Sequence, residues 1–210
     1  MKAVFLLTAL TCLNSALADV STSGYWIGVM PTYSFSEKHS VTLQAEDRRQ
    51  GDNSFVLIRP SYHYQMESWI NLGLGGDVFT TDRTESRYWG EFNLKTPEMI
   101  LNQKLHLRFR QEFRDLSGIN NSGMRSRMMV MSQFSLYKPW GLEAFVFDEV
   151  FYSQRDFVGA KNYYDRNWLG FRIRKNHKKL FYDLGGFWEK VFDQQDSSGF
   201  VGIFSVGGFF

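Results

Sequence analysis

The residues best equipped for chemistry in this chain are arginines and carboxylates that recur at every second position. The segment KLHLRFRQEFRD carries Arg108, Arg110, Glu112 and Arg114 at intervals of two. A period of two separates the faces of a β-strand, so these charges share one face while Leu105, Leu107, Phe109 and Phe113 share the other. A guanidinium is a rigid fork of donors that meets a carboxylate with two parallel hydrogen bonds. Such a face can pair with its counterparts on neighbouring strands, or it can recognise an anion.

The same alternation recurs along the chain. Glu46 and Arg48, Arg59 and His63, Arg87 and Glu91, Arg125 and Arg127, and Glu143 and Glu149 each stand opposite an apolar set in phase with them. Arg166, Arg172 and Arg174, and then Asp183 and Glu189, continue the pattern. Arginine outnumbers both lysine and the carboxylates in this set. If these faces converge, the bland outcome is a crossed Arg–Glu network that fills the interior of a narrow barrel. The sharper outcome is a solute path for small anions, since rings of arginine favour anions in a pore. The residues assigned to that path are Arg59, Arg87, Glu91, Arg108, Arg110, Glu112, Arg114, Arg125, Arg127, Glu149, Arg166, Arg172 and Arg174.

Catalytic patterns are absent from the sequence. It has no H-E-x-x-H, no G-x-S-x-G, no P-loop and no dinucleotide fingerprint. Of the four histidines, His39 and His177 fall in expected turns, and His63 and His106 fall on the charged faces. The chain is expected not to be an enzyme, and to need no cofactor and no metal. An outer-membrane hydrolase remains the least favoured alternative, because a general base must lie within hydrogen-bond reach of its substrate. Basic and acidic residues nearly balance, 24 against 22, which gives no nucleic-acid footprint.

The elements that must position these faces are long strands. Eleven candidates lie near 24–34, 40–48, 54–65, 68–80, 85–95, 104–115, 124–137, 140–152, 164–175, 179–189 and 199–210. Most exceed the usual five or six residues and approach the roughly 9–11 that a tilted membrane strand needs. Connections alternate in length: QMES, KPWG and RKNHKK are tight, whereas DLSGINNSG, 153–163 and 194–198 are long, as in outer-membrane barrels. Tyr62, Tyr64, Trp69, Tyr137 and Trp140 cluster beside the tight turns, where an interfacial girdle would sit.

Residues 1–18 read as an export signal. Lys2 precedes an apolar stretch from Ala3 to Leu13, and Ala16-Leu17-Ala18 offers a small-residue cleavage site. The mature domain then spans 19–210 and carries no cysteine. The rival is a lipoprotein signal acylated at Cys12, which Thr11 disfavours. Export, absent cysteines and long alternating strands together point to an all-β fold: a closed antiparallel transmembrane β-barrel in the bacterial outer membrane. Eleven is odd where bacterial barrels are even, so ten or twelve strands are expected, with both chain ends periplasmic and Pro31 marking the doubtful first strand. The closing GFVGIFSVGGFF is expected to zip the barrel, with Phe204, Val206 and Phe210 facing lipid.

The segments RPSYHY, ESRYWGEF, LRFRQEFR, MRSRMMV and YYDRNWLGFRIR resemble the bacterial outer-membrane family known as domain of unknown function 2490. The family's E-x-R-x-W-x-Q pattern is matched at Glu85, Arg87 and Trp89, with Glu91 in the glutamine's place. The resemblance implies an outer-membrane barrel and no particular activity. It also implies that the terminal aromatic is the mark read by the barrel insertion machinery. The expected partners are that machinery, outer-membrane lipids and lipopolysaccharide, and a small anionic solute. The leading functional expectation is a narrow passive anion channel, and the alternative is a plugged barrel with a structural or assembly role.

Overall fold

The computed structural model describes residues 22–80, 84–97, 103–117, 122–153, 163–177, 179–192 and 197–210; the expected leader lies outside them. Eleven strands follow one another: β1 (Thr22–Ser34), β2 (His39–Gln50), β3 (Asn53–Glu67), β4 (Ile70–Thr80), β5 (Thr84–Lys95), β6 (Gln103–Leu116), β7 (Ser122–Tyr137), β8 (Leu142–Ser153), β9 (Tyr163–His177), β10 (Leu180–Phe192) and β11 (Ser197–Phe209). A 3-10 turn, Lys138–Trp140, joins β7 to β8. No helix among the described residues is long and apolar enough to cross a membrane.

Each strand pairs antiparallel with the next, and the sheet closes on itself through β1 and β11, which run parallel. The chain is therefore all-β and a closed barrel, but the expectation of ten or twelve strands is corrected to eleven. Pro31 does not remove the first strand. The β1–β2 ladder runs from Val29↔Ala45 to Thr32↔Thr42, skipping Met30 and Pro31, while Pro31 keeps its place opposite Gly208 of β11. A proline without an N–H costs one rung of one ladder, and the strand continues through it. An odd strand number forces one parallel pair, so the chain ends lie at opposite ends of the barrel and not both at one end.

Two ends can thus be named. The carboxyl end carries the connections 35–38, 68–69, 96–102, 138–141 and 178–179; the amino end carries 51–52, 81–83, 117–121, 154–162 and 193–196. The tight and long connections read from the sequence sort onto these two ends. Two others break the alternation: 51–52 is a tight hairpin, where Gly51 adopts a φ of 58°, and 96–102 is longer than its companions.

Alternation separates the two faces of the sheet. Large apolar side chains cover the outside, among them Leu74 at 61% exposure, Leu184 at 60% and Phe109 at 51%. Aromatic residues border this band at both levels: Tyr33, Phe35, Trp69, Tyr137 and Trp140 toward the carboxyl end, Tyr25, Tyr88 and Tyr152 toward the amino end. Exposed apolar patches of this extent mark surfaces that meet an apolar partner or a membrane.

The inside divides in two. On β1 and β7–β11, Phe145, Trp168, Phe187 and Val201 form a buried cluster, extended by Trp26, Met131, Phe147 and Ile203. Trp168 stacks on Phe187 at 4.0 Å, and Trp26 meets both edge-on at 5.1 and 5.0 Å. Most of the inward charges lie on β2–β8, with Arg172, Arg174, Asp183 and Glu189 on β9 and β10.

Candidate functional site

The charged wall follows from register. Pairing of β5 with β6 sets Glu91 opposite Arg110 and Trp89 opposite Glu112, and pairing of β6 with β7 sets Arg110 opposite Arg127 and Glu112 opposite Arg125. Arg110 donates to Glu91 at 2.8 Å through Nε. Glu112, fully buried, accepts from Arg125 at 2.8 and 2.5 Å and from Arg127 at 2.7 Å. Glu149 accepts from Arg108 at 2.6 Å and from Arg127 at 3.0 and 2.9 Å. Arg127 therefore ties two carboxylates on different strands together.

Neighbouring rows repeat the device. Arg59 forks onto Asp77 at 2.6 and 2.9 Å, and Trp89 donates to the same carboxylate at 2.7 Å. Arg87 forks onto Glu85 at 2.9 and 2.8 Å, and Arg114 also binds Glu85. Arg48 pairs with Glu46 and lies over the Trp26 ring at 4.0 Å, so it joins the charged wall to the aromatic one. Arg172 pairs with Glu143 at 2.7 Å and Arg174 with Asp183 at 2.7 and 2.5 Å, closer to the carboxyl end. Buried charges persist only when paired and hydrogen-bonded, and these guanidinium forks supply both.

A cavity of about 560 Å³ extends from mid-barrel toward the amino end. Its wall holds Arg48, Arg59, Arg87, Arg108, Arg110, Arg125 and Arg127 with Glu85 and Glu149; Trp26, Met129, Met131, Phe147, Phe151 and Trp168 are among its apolar lining. Asp77, Glu91 and Glu112 stand outside that lining, so Arg59, Arg110 and Arg125 face the cavity with their carboxylates behind.

Of the residues read from the sequence, Arg59, Arg87, Glu91, Arg108, Arg110, Glu112, Arg114, Arg125, Arg127 and Glu149 come together in this wall, whereas Arg172 and Arg174 form separate pairs. The Arg166 side chain lies outside the described residues. Phe204 points outward at 44% exposure, Val206 shares its face, and Phe210 is 54% exposed beyond the end of β11. Phe210 also ties the seam through its backbone: its N–H donates to the Thr32 carbonyl at 2.8 Å, and its carbonyl accepts from the Ser34 N–H at 2.9 Å.

Sequence reading missed Asp77, left Glu85 out of the interior set, and overlooked the aromatic wall. Asp77 sits in LGLGGDVFT, where Gly73 and Gly75 on its own face give no alternation to read. Those glycines have a packing reason. A Cβ on Gly75 would fall 2.4 Å from the Trp89 ring, and one on Gly73 would fall 2.8 Å from Glu91 Cγ, so each glycine seats a large side chain of β5.

His39 and His63 lie toward the carboxyl end of the barrel. His39 opens β2 on the outer face, with Nδ1 2.6 Å from the Tyr62 hydroxyl. His63 Nε2 is 3.0 Å from the Ser61 hydroxyl on the inner face. Among the described residues, no group of three or more His, Cys, Asp or Glu is placed to hold a metal ion.

No curated protein and no solved structure matches the chain. One family model, described as Protein of unknown function (DUF2490), matches residues 23–195, a span that holds β2–β10 and all the arginines and carboxylates of the charged wall. The chain is a member of that family.

Proposed function

We propose that the protein is an outer-membrane barrel whose lumen is held shut by its own side chains, with a structural or binding role and not that of a general pore. An outward apolar band bordered by aromatics and a closed backbone ladder support the membrane setting. The residues 1–18 that read as an export signal support it further.

The observation that carries the closed lumen is the pairing of the interior arginines with carboxylates on neighbouring strands, centred on Glu112 between Arg125 and Arg127. Stacked Trp168 and Phe187 occupy the opposite side. Planar-bilayer recording tests this reading. Native protein is expected to give no stepwise conductance, and Trp168→Ala combined with Phe187→Ala is expected to open steps. Conductance from the native protein would overturn it.

A narrow anion path is the second reading, favoured by the seven arginines around the cavity. It requires anion-selective steps in the native protein that weaken in Arg110→Ala with Arg127→Ala. Outer-membrane lipids, lipopolysaccharide and the insertion machinery are the partners that this setting supplies. A catalytic role is not proposed, since the sequence carries none of the catalytic patterns sought.

A further inference from the structure

We infer that the lumen cavity is a binding site for an amphipathic organic anion, a flat apolar body bearing one carboxylate, sulfonate or phosphate group. The inference deepens the closed-lumen reading and rests on it. At about 560 Å³ the cavity has the size of a small-molecule site, for which roughly 300–1,000 Å³ is usual.

Its walls differ in kind. One side presents guanidinium groups, and the other presents Trp26, Met131, Phe147 and Trp168. Among the described residues the cavity lining holds seven arginines and two carboxylates, Glu85 and Glu149. An apolar ligand without charge would make no use of those guanidinium groups. An inorganic anion would make no use of the aromatic faces turned to the cavity.

Two donors sharpen the fit. Trp26 Nε1 and Arg108 Nε are buried, belong to residues of the cavity wall, and have no hydrogen-bond acceptor among the described residues. Buried donors without acceptors cost free energy, and an anionic group becomes their acceptor where the Trp26 and Arg108 side chains turn toward the cavity. The aromatic faces already hold cations elsewhere in the wall, with Arg87 over Phe79 at 3.8 Å and Arg48 over Trp26 at 4.0 Å, so charge and ring are interleaved around the space.

Isothermal titration calorimetry on the full-length mature protein in detergent micelles tests the inference with three probes. These are 2-naphthoate, the uncharged 2-naphthamide, and inorganic phosphate. Naphthoate is expected to bind saturably and roughly tenfold or more tightly than either control, the margin that a charge-assisted hydrogen bond supplies. Arg108→Gln should weaken naphthoate about tenfold. Glu149 keeps its two bonds from Arg127 in that variant. Met131→Trp, which fills the cavity, should abolish binding in a protein whose barrel still forms. No saturable naphthoate binding, equal affinity for the amide, or binding untouched by Met131→Trp would overturn the inference. A non-conducting protein that fails to bind naphthoate would leave the closed lumen standing and remove only this site.

Discussion

Glu112 is the residue on which the charged wall turns. It is fully buried, and two guanidinium groups converge on it. Removing one member of a buried ion pair leaves uncompensated charge and costs about 3–5 kcal/mol. Glu112→Ala is therefore expected to lose stability on that scale in urea unfolding, and a loss below about 1 kcal/mol would show that Arg125 and Arg127 are held by other partners. Gly75→Ala acts by crowding instead. The added methyl must push back Trp89 or the Pro60 carbonyl, and overpacking of this kind costs about 1–3 kcal/mol. Near-ultraviolet circular dichroism should show the displaced indole; an unchanged spectrum and unchanged melting would refute the seating argument. The sequence made one half of this chemistry readable. Arg110 and Glu112 announce their face because apolar residues alternate with them. Asp77 does not, because glycines hide its phase, and Trp26 and Trp168 do not, because an inward aromatic looks like an outward one until the sheet is closed.

The strands themselves were legible nearly to their ends, since thirteen-residue stretches such as β10 hold one period throughout. What alternation cannot reveal is which two strands close the sheet. Pro31 argues against a central strand, yet closure needs β1, and one missing N–H is cheaper than an open edge. The seam is then finished by Phe210, whose backbone makes two hydrogen bonds to β1. Side chain and backbone can be separated here. Phe210→Ala keeps both bonds and should reduce the amount of barrel inserted in cells while leaving the melting temperature of purified protein unchanged. Deletion of Phe210 should lower both, by about 1–3 kcal/mol in stability. Equal insertion of Phe210→Ala and native protein would refute a recognition role for the terminal ring.

At the scale of the whole molecule, the odd strand count sets the ends of the chain on opposite sides. In the membrane reading, the amino end with its longer connections faces outward. Ser23→Cys in intact cells is expected to react with a membrane-impermeant maleimide, while Lys38→Cys reacts only after permeabilisation. The opposite pattern would reverse the barrel. The parallel β1–β11 pair has a further consequence for rearranging the chain. In an even barrel the termini are neighbours, and a few residues can join them so that new ends are cut elsewhere. Here such a joint would have to run the length of a strand, about 40 Å at 3.3 Å per residue over twelve residues, past an interior narrowed by stacked Trp168 and Phe187. Circular permutation with a short linker is closed to this fold, and the same geometry lets two tags, one at each terminus, be displayed on opposite sides of a single barrel.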